Sequence, residues 1–416
     1  MSSFKKTVGN LIIGRNGYMS NRKITFFLLF LNVITSAAVS IYIPCLKQMA
    51  ADLHASNAVI QMTIVAHLIG EFIGRMLCGP VIETYGNRAT ILPALLISMA
   101  GHFGCMISGS TALFMVMRFT QAIGSSVVYI ISQNIIDEIF NEKERSRVMG
   151  ILELYQPIAW ILSPFVGSVL AELSHWRGSF LLLMAAQLVG IAFFWVYPTD
   201  GSKQLPRRFS QLFQDYAYVL KHPSFVIYAL IPGLFAGGYM IFAAGTPFIC
   251  STFFGNNSAI AVFSAIPLFF YVIATFIYRK IVYRSGIKVS RKIGTCIYGV
   301  FGLYLAHLFM HNLPWTPQTL LTLMCLQCTG SAFLVPISVL KALQYTEHRF
   351  TSVGASTVVI FRNVIMSICI AAGARFRSSI TTIMACVFIT VATVLVLIMA
   401  RRIIRTRLDR RSKQPR

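Results

Sequence analysis

The chain of 416 residues carries a formal charge of +23, from 36 Lys and Arg against 13 Asp and Glu, yet only 12% of its residues are charged and 56% belong to the AVILMFWYC set. A soluble domain has roughly a quarter of its residues charged, so this mixture excludes a water-soluble surface of such size. Its apolar residues, about 233 in all, nearly match the ~240 that twelve spans of ~20 residues require, which points to an all-α, polytopic membrane protein.

Apolar runs of spanning length recur near 24–44, 57–81, 89–108, 111–135, 148–171 and 178–198, and again near 224–250, 259–283, 293–311, 317–340, 352–373 and 379–400. The expected organisation is a basic N-terminus (1–23), a six-helix bundle (24–198), a linker (199–223), a second six-helix bundle (224–400) and a basic tail (401–416). Twelve spans put both termini on one face. Twenty-nine of the Lys and Arg residues fall on that face and four, Lys47, Arg177, Arg375 and Arg377, on the other. The asymmetry follows the positive-inside rule and predicts cytoplasmic termini. It also accounts for the net charge without a nucleic-acid partner, while the tail RRIIRTRLDRRSKQPR would be drawn to anionic lipid. Arg75, Arg118 and Arg362 are the cations left inside spans.

The longest polar connection, TDGSKQLPRRFSQLFQDYAYVLKHP at 199–223, divides the chain evenly. Weak internal symmetry supports the division, because proline marks the end of the first span of each half, in IYIPCL at 41–46 and AAGTPFIC at 243–250. Two facing six-span halves are expected to enclose a site at the membrane midplane. The nine cysteines lie almost wholly in apolar stretches and read as small core residues. This holds for the Cys325 and Cys328 pair, so no metal is expected. No Gly-Lys-Ser/Thr phosphate loop occurs, and no nucleophile motif stands at a membrane face, so neither a cofactor nor an enzymatic activity is expected.

Between spans two and three, GPVIETYGNRATIL at 79–92 resembles the signature loop of the major facilitator superfamily. Gly79, Pro80, Gly86 and Arg88 match; Glu83 stands for the usual Asp, and Thr84 and Asn87 stand where basic residues are usual. In such a turn Gly79 is expected to allow close helix approach and Gly86 a strained backbone. RFTQAIG at 118–124 resembles the superfamily's Arg-x-x-Gln-Gly segment, with Ala122 for Gly. In span five Pro157, Pro164 and Gly167, followed by Trp176, Arg177 and Phe180, resemble the antiporter motif. Segments 225–250, 262–286 and 335–356 resemble the bicyclomycin- and chloramphenicol-resistance (Bcr/CflA) branch of drug/proton antiporters. The resemblance implies two pseudo-symmetric bundles in a bacterial inner membrane, working as a monomer and exporting a drug or a metabolite such as a siderophore in exchange for protons. Nutrient uptake by the same fold and a non-transporting receptor are the alternatives. The branch usually carries an acid in span one where this chain has Ser40, and no Asp or Glu occurs from Lys23 to Lys47.

Proton coupling must then reside elsewhere. His67, Glu71 and Arg75 recur at steps of four along one stripe of span two. Glu71 is expected ~21 Å along that helix, at 1.5 Å per residue, inside a ~30 Å core. Two roles are open: a proton acceptor, or one half of an ion pair with Arg75. Ionisable groups at this depth face a cavity or a partner. Arg118 is expected either to meet substrate or to brace helices through hydrogen bonds. Arg362 and Asn363 in span eleven point to an anionic or zwitterionic cargo or to a bracing contact, and Ser40, Tyr42 and Tyr239 complete the candidate cavity lining. Gly79, Glu83, Gly86, Arg88 and Asp137 form the expected cytoplasmic gate.

Overall fold

The computed structural model describes residues 21–196, 209–253, 257–311, 316–347 and 351–375. The expected twelfth span, 379–400, and the tail lie outside them. Among the described residues the chain is helical: α1 (Asn21–Ser40), α2 (Leu46–Asp52), α3 (Asn57–Ile107), α4 (Thr111–Ile139), α5 (Glu142–Ser174), α6 (Arg177–Val196), α7 (Phe209–Leu220), α8 (Pro223–Phe253), α9 (Asn257–Met310), α10 (Pro317–Gln344) and α11 (Thr351–Arg375). Eight stretches are long and apolar enough to cross a membrane. One of these, Val262–Met310, is broken at Gly286, and the pair Ile158–Ser174 and Arg177–Ala192, bent by 117°, makes a ninth if taken as one span. Among the described residues, then, eight or nine of the twelve expected spans are seen.

Two helices of 51 and 54 residues, α3 and α9, each turn back at one glycine: Gly86 at φ 84°, ψ 168° and Gly286 at φ 80°, ψ 170°. Positive φ at these ψ values is open essentially to glycine alone, so each glycine sets the reversal between two spans. The matched pair of hairpins is the clearest trace of pseudo-symmetry between the halves. Helix α1 ends at Ser40, inside the apolar span Ile24–Asp52. Pro44, in the 3-10 turn Ile43–Cys45, lacks the N–H that would continue the α-helical ladder.

The 199–223 connection is more than a polar link. Phe209, Leu212, Phe213, Tyr216 and Val219 recur at helical spacing, and the resulting α7 sets Val219 into the core with Phe225 and Tyr228. The Tyr218 hydroxyl donates to the Glu347 carboxylate, tying α7 to the end of α10.

Contacts between the halves run through α3 against α11 and α5 against α9. One apolar core unites Ile34, Ile41, Ile60, Ile64 and Leu68 of the first half with Met240, Ala244, Met366 and Ile370 of the second. The other cores stay within one half. The shared core lies toward the far face, that of the 53–56 connection, where the Gln61 amide also donates to the Ala244 carbonyl at 3.4 Å.

Candidate functional site

A cavity of about 30 Å³ lies at mid-depth, below the shared core. Its walls come from both halves: Thr35, Ser36 and Val39 of α1, His67, Leu68, Glu71 and Arg75 of α3, Ser125, Ser126 and Tyr129 of α4 and Tyr155 and Trp160 of α5 face Met240 of α8 and Arg362 and Met366 of α11. The i, i+4 spacing of His67, Glu71 and Arg75 brings all three to this cavity, as one helical stripe must.

Glu71 Oε1 accepts from Arg75 Nη2 at 2.6 Å and Nε at 3.0 Å. The two side chains are only 13% and 15% exposed, and Arg75 also lies over the Tyr129 ring at 5.5 Å. This is the ion pair foreseen as one of the two roles of Glu71. Arg362 approaches from the other half, close enough to act on Glu71 electrostatically, yet no ion pair within 4 Å includes it among the described residues. Its Nε is buried without a hydrogen-bond partner, as are Trp160 Nε1 and His67 Nδ1. Asn363, 1% exposed, lies beside Glu71.

Three expected lining residues sit behind the cavity wall instead. Arg118 is fully buried; its Nη1 donates to the Ala38 carbonyl at 2.9 Å and to Gln121 Oε1 at 2.6 Å. It also lies 4.4 Å from the centre of the Tyr42 ring. That geometry is the brace between α1 and α4. Tyr42, also fully buried, packs on Phe114 and Phe180 and shares a 3.2 Å hydrogen bond with Thr63. Ser40 pairs with the Ser163 hydroxyl at 2.6 Å, joining α1 to α5 at the position where the Bcr/CflA-like pattern has an acid. Tyr239 is partly buried against the shared core, one residue from cavity-lining Met240.

The expected gate is only partly visible. The Glu83 and Arg88 side chains lie outside the described residues, as does that of Pro157. Asp137 pairs with Arg145 at 2.8 Å on a half-exposed surface. Gly86 makes the foreseen turn, but Gly79 does not serve close approach: a Cβ there would meet nothing within 4 Å among the described residues. Close approach falls to Gly70 and Gly74, where a Cβ would strike the Phe119 and Ile123 backbones of α4. Their four-residue spacing was the available sequence signal. Gly167 does pack as the motif suggests, against the Ile41 carbonyl, and Pro164 is buried in the same helix.

Sequence reasoning missed Asp52, which anchors the far-face corner. Its Oδ2 accepts from Trp176 Nε1 at 2.9 Å and pairs with His175 at 2.8 Å and Arg177 at 3.4 Å. The eight cysteines among the described residues are free.

The sequence profile of the Major Facilitator Superfamily matches residues 26–374. An uncharacterized MFS-type transporter, YdgK of Bacillus subtilis, is 26% identical over 239 residues, 56% of this chain and 59% of that protein. A bicyclomycin resistance protein homolog of Haemophilus influenzae is 21% identical over 310 residues, 73% of this chain and 78% of that one. The multidrug resistance protein MdtL of Escherichia coli is 25% identical over 156 residues, 38% of this chain and 39% of its own length. A D-xylose-proton symporter superposes with a TM-score of 0.71 at 14% identity, covering 90% of this chain and 96% of that one. A POT family transporter bound to 5-aminolevulinic acid gives 0.74 at 12%, covering 91% and 95%. At such identities these structures share the fold alone.

Proposed function

We propose that this chain, which belongs to the Major Facilitator Superfamily, exports a small organic molecule, a drug or a metabolite, in exchange for protons. Proteins of this family are transporters and not enzymes, and the chain is accordingly a multi-pass membrane transporter. The proposal further places it in a bacterial inner membrane as a monomer with both termini cytoplasmic, in keeping with the 29-to-4 distribution of its basic residues.

The observation that carries the reading is the position of Glu71, the carboxylate on a mid-depth cavity walled by both halves and covered on the far face by their shared core. Rocking of the halves about this site would expose Glu71 to one face and then to the other. Protonation of Glu71 removes the charge that holds Arg75, so loading the proton and rearranging the cavity wall become one event. The resistance proteins among the relatives support export as the direction.

Substrate-dependent proton movement in liposomes holding the purified protein tests this. An imposed pH gradient should drive cargo against its own gradient, and Glu71→Gln should reduce that movement to background. Transport indifferent to the pH gradient would reject the exchange.

A second reading is favoured by the charges of the cavity. With Glu71 protonated, Arg75 and Arg362 both lack a carboxylate, so an anionic cargo and a proton would fill the site together. That is co-transport, suited to uptake. The sign of proton movement relative to cargo in the same vesicles separates the two.

A further inference from the structure

We infer that the cargo is an organic carboxylate, its anionic head held by Arg362 and the Trp160 indole N–H, and its apolar body lodged against Val39, Leu68, Met240 and Met366. The inference rests on the cavity being the cargo site and is independent of the direction of transport.

Three observations carry it. First, the cavity walls hold two guanidinium groups, Arg75 and Arg362, against one carboxylate, Glu71, and Arg75 already takes that carboxylate through two hydrogen bonds. Glu71 acts on Arg362 as well, but one carboxylate then faces two guanidinium groups, and the missing negative charge is one that a ligand can bring. Second, the unpartnered polar atoms on the lining include two obligatory donors, Arg362 Nε–H and Trp160 Nε1–H. Neither atom can accept a hydrogen bond, so a cationic headgroup would leave both unsatisfied, whereas a carboxylate meets both. Third, these donors come from opposite halves, Trp160 on α5 and Arg362 on α11. A ligand touching both bridges the surfaces that must move relative to each other, which couples occupancy to closure.

The rest of the lining sets the shape of the cargo. Four aliphatic or thioether side chains, the Tyr129 and Tyr155 rings, His67 and the hydroxyls of Thr35, Ser36, Ser125 and Ser126 make up the rest of the lining, so one anionic head and a body with an apolar or aromatic face fit best. At about 30 Å³ the cavity is closed down to the size of a water molecule, so such a cargo would enter as the halves part.

The test is calorimetric titration of the full chain in nanodiscs with two probes of matched shape and opposite charge, benzoate and benzylammonium. Benzoate should bind and benzylammonium should not. Arg362→Gln should weaken benzoate about tenfold or more, and Trp160→Phe, which keeps a ring and deletes the N–H, about threefold. Arg362→Lys keeps the charge but not the planar fork and should fall between wild type and Arg362→Gln; its monodispersity guards against a folding defect in the glutamine variant. Benzylammonium binding as tight as benzoate, benzoate binding that Arg362→Gln leaves unchanged, or no benzoate binding at millimolar concentration overturns the inference. Exchange and cargo class fail separately. Benzoate bound through Arg362 with no proton movement for any cargo removes the exchange, and proton exchange driven by a cationic cargo removes the carboxylate.

Discussion

The far face and the near face of this bundle treat the boundary between the halves in opposite ways. On the far face the boundary is filled by one core, with Ile60 and Ile64 against Ala244 and Ile370, and the α2 corner is locked by Asp52 under His175, Trp176 and Arg177. The remaining large cores stay within one half, that of the first lying toward the near face and that of the second running the height of its bundle. Polar pairs at the near face, such as Asp137 with Arg145, are half-exposed. Packing concentrated at one end lets the other end part, and the cavity sits at the level where the shared core stops. The same contrast holds for charge. Asp52 is one carboxylate surrounded by three donors, whereas at the cavity Glu71 satisfies Arg75 and leaves Arg362 and Trp160 unmatched.

The largest expected effect comes from breaking the charge balance at mid-depth. Glu71→Leu leaves the Arg75 guanidinium buried without its carboxylate, a change that costs about 3–5 kcal/mol in comparable pairs. The double variant with Arg75→Leu should recover most of that loss, since a buried pair replaced by apolar side chains is often neutral. Melting of the purified protein in detergent reads both; equal melting of the single and double variants would mean that the pair is screened by water from the cavity. Next in size is Gly167→Ala on the far face. The added Cβ drives into the Ile41 carbonyl, which is backbone at the end of α1 and has little room to yield. Overpacking of this kind costs about 1–3 kcal/mol, and the same melting curves would show it.

How far the sequence could anticipate this contrast depends on the range of each interaction. Spacing within one helix is local, so the His67, Glu71 and Arg75 stripe and the reversal at Gly86 were legible from residue type and period alone. Gly286 could have been read by the same logic, as the glycine of the corresponding turn in the second half. Partners across helices depend on packing that no single-helix period encodes. The assignment of Arg118 and Tyr42 to the cavity lining failed for this reason: both lie on spans that border the cavity, but their side chains turn toward Ala38, Gln121 and Phe114. Trp160 was invisible because a tryptophan in an apolar run carries no periodic or charge signal, and its role emerges only with Arg362 across from it.

Smaller effects sharpen the comparison at its two ends. Asp52→Asn removes the charge under His175 and Arg177, but these groups are 31–39% exposed, and partly exposed pairs contribute only about 0.2–1 kcal/mol each. The loss should therefore be about 1 kcal/mol, far below that of Glu71→Leu despite the greater number of donors. Gly79→Ala should be the smallest change and of opposite sign. Nothing described lies within 4 Å of the new Cβ, and alanine is favoured over glycine in a helix by about 1 kcal/mol, so the variant should melt at or slightly above the wild-type temperature. A clear drop would mean that the near-face ends of the halves come together at Gly79 in solution, and the asymmetry between the two faces would then describe one state of a protein that populates both.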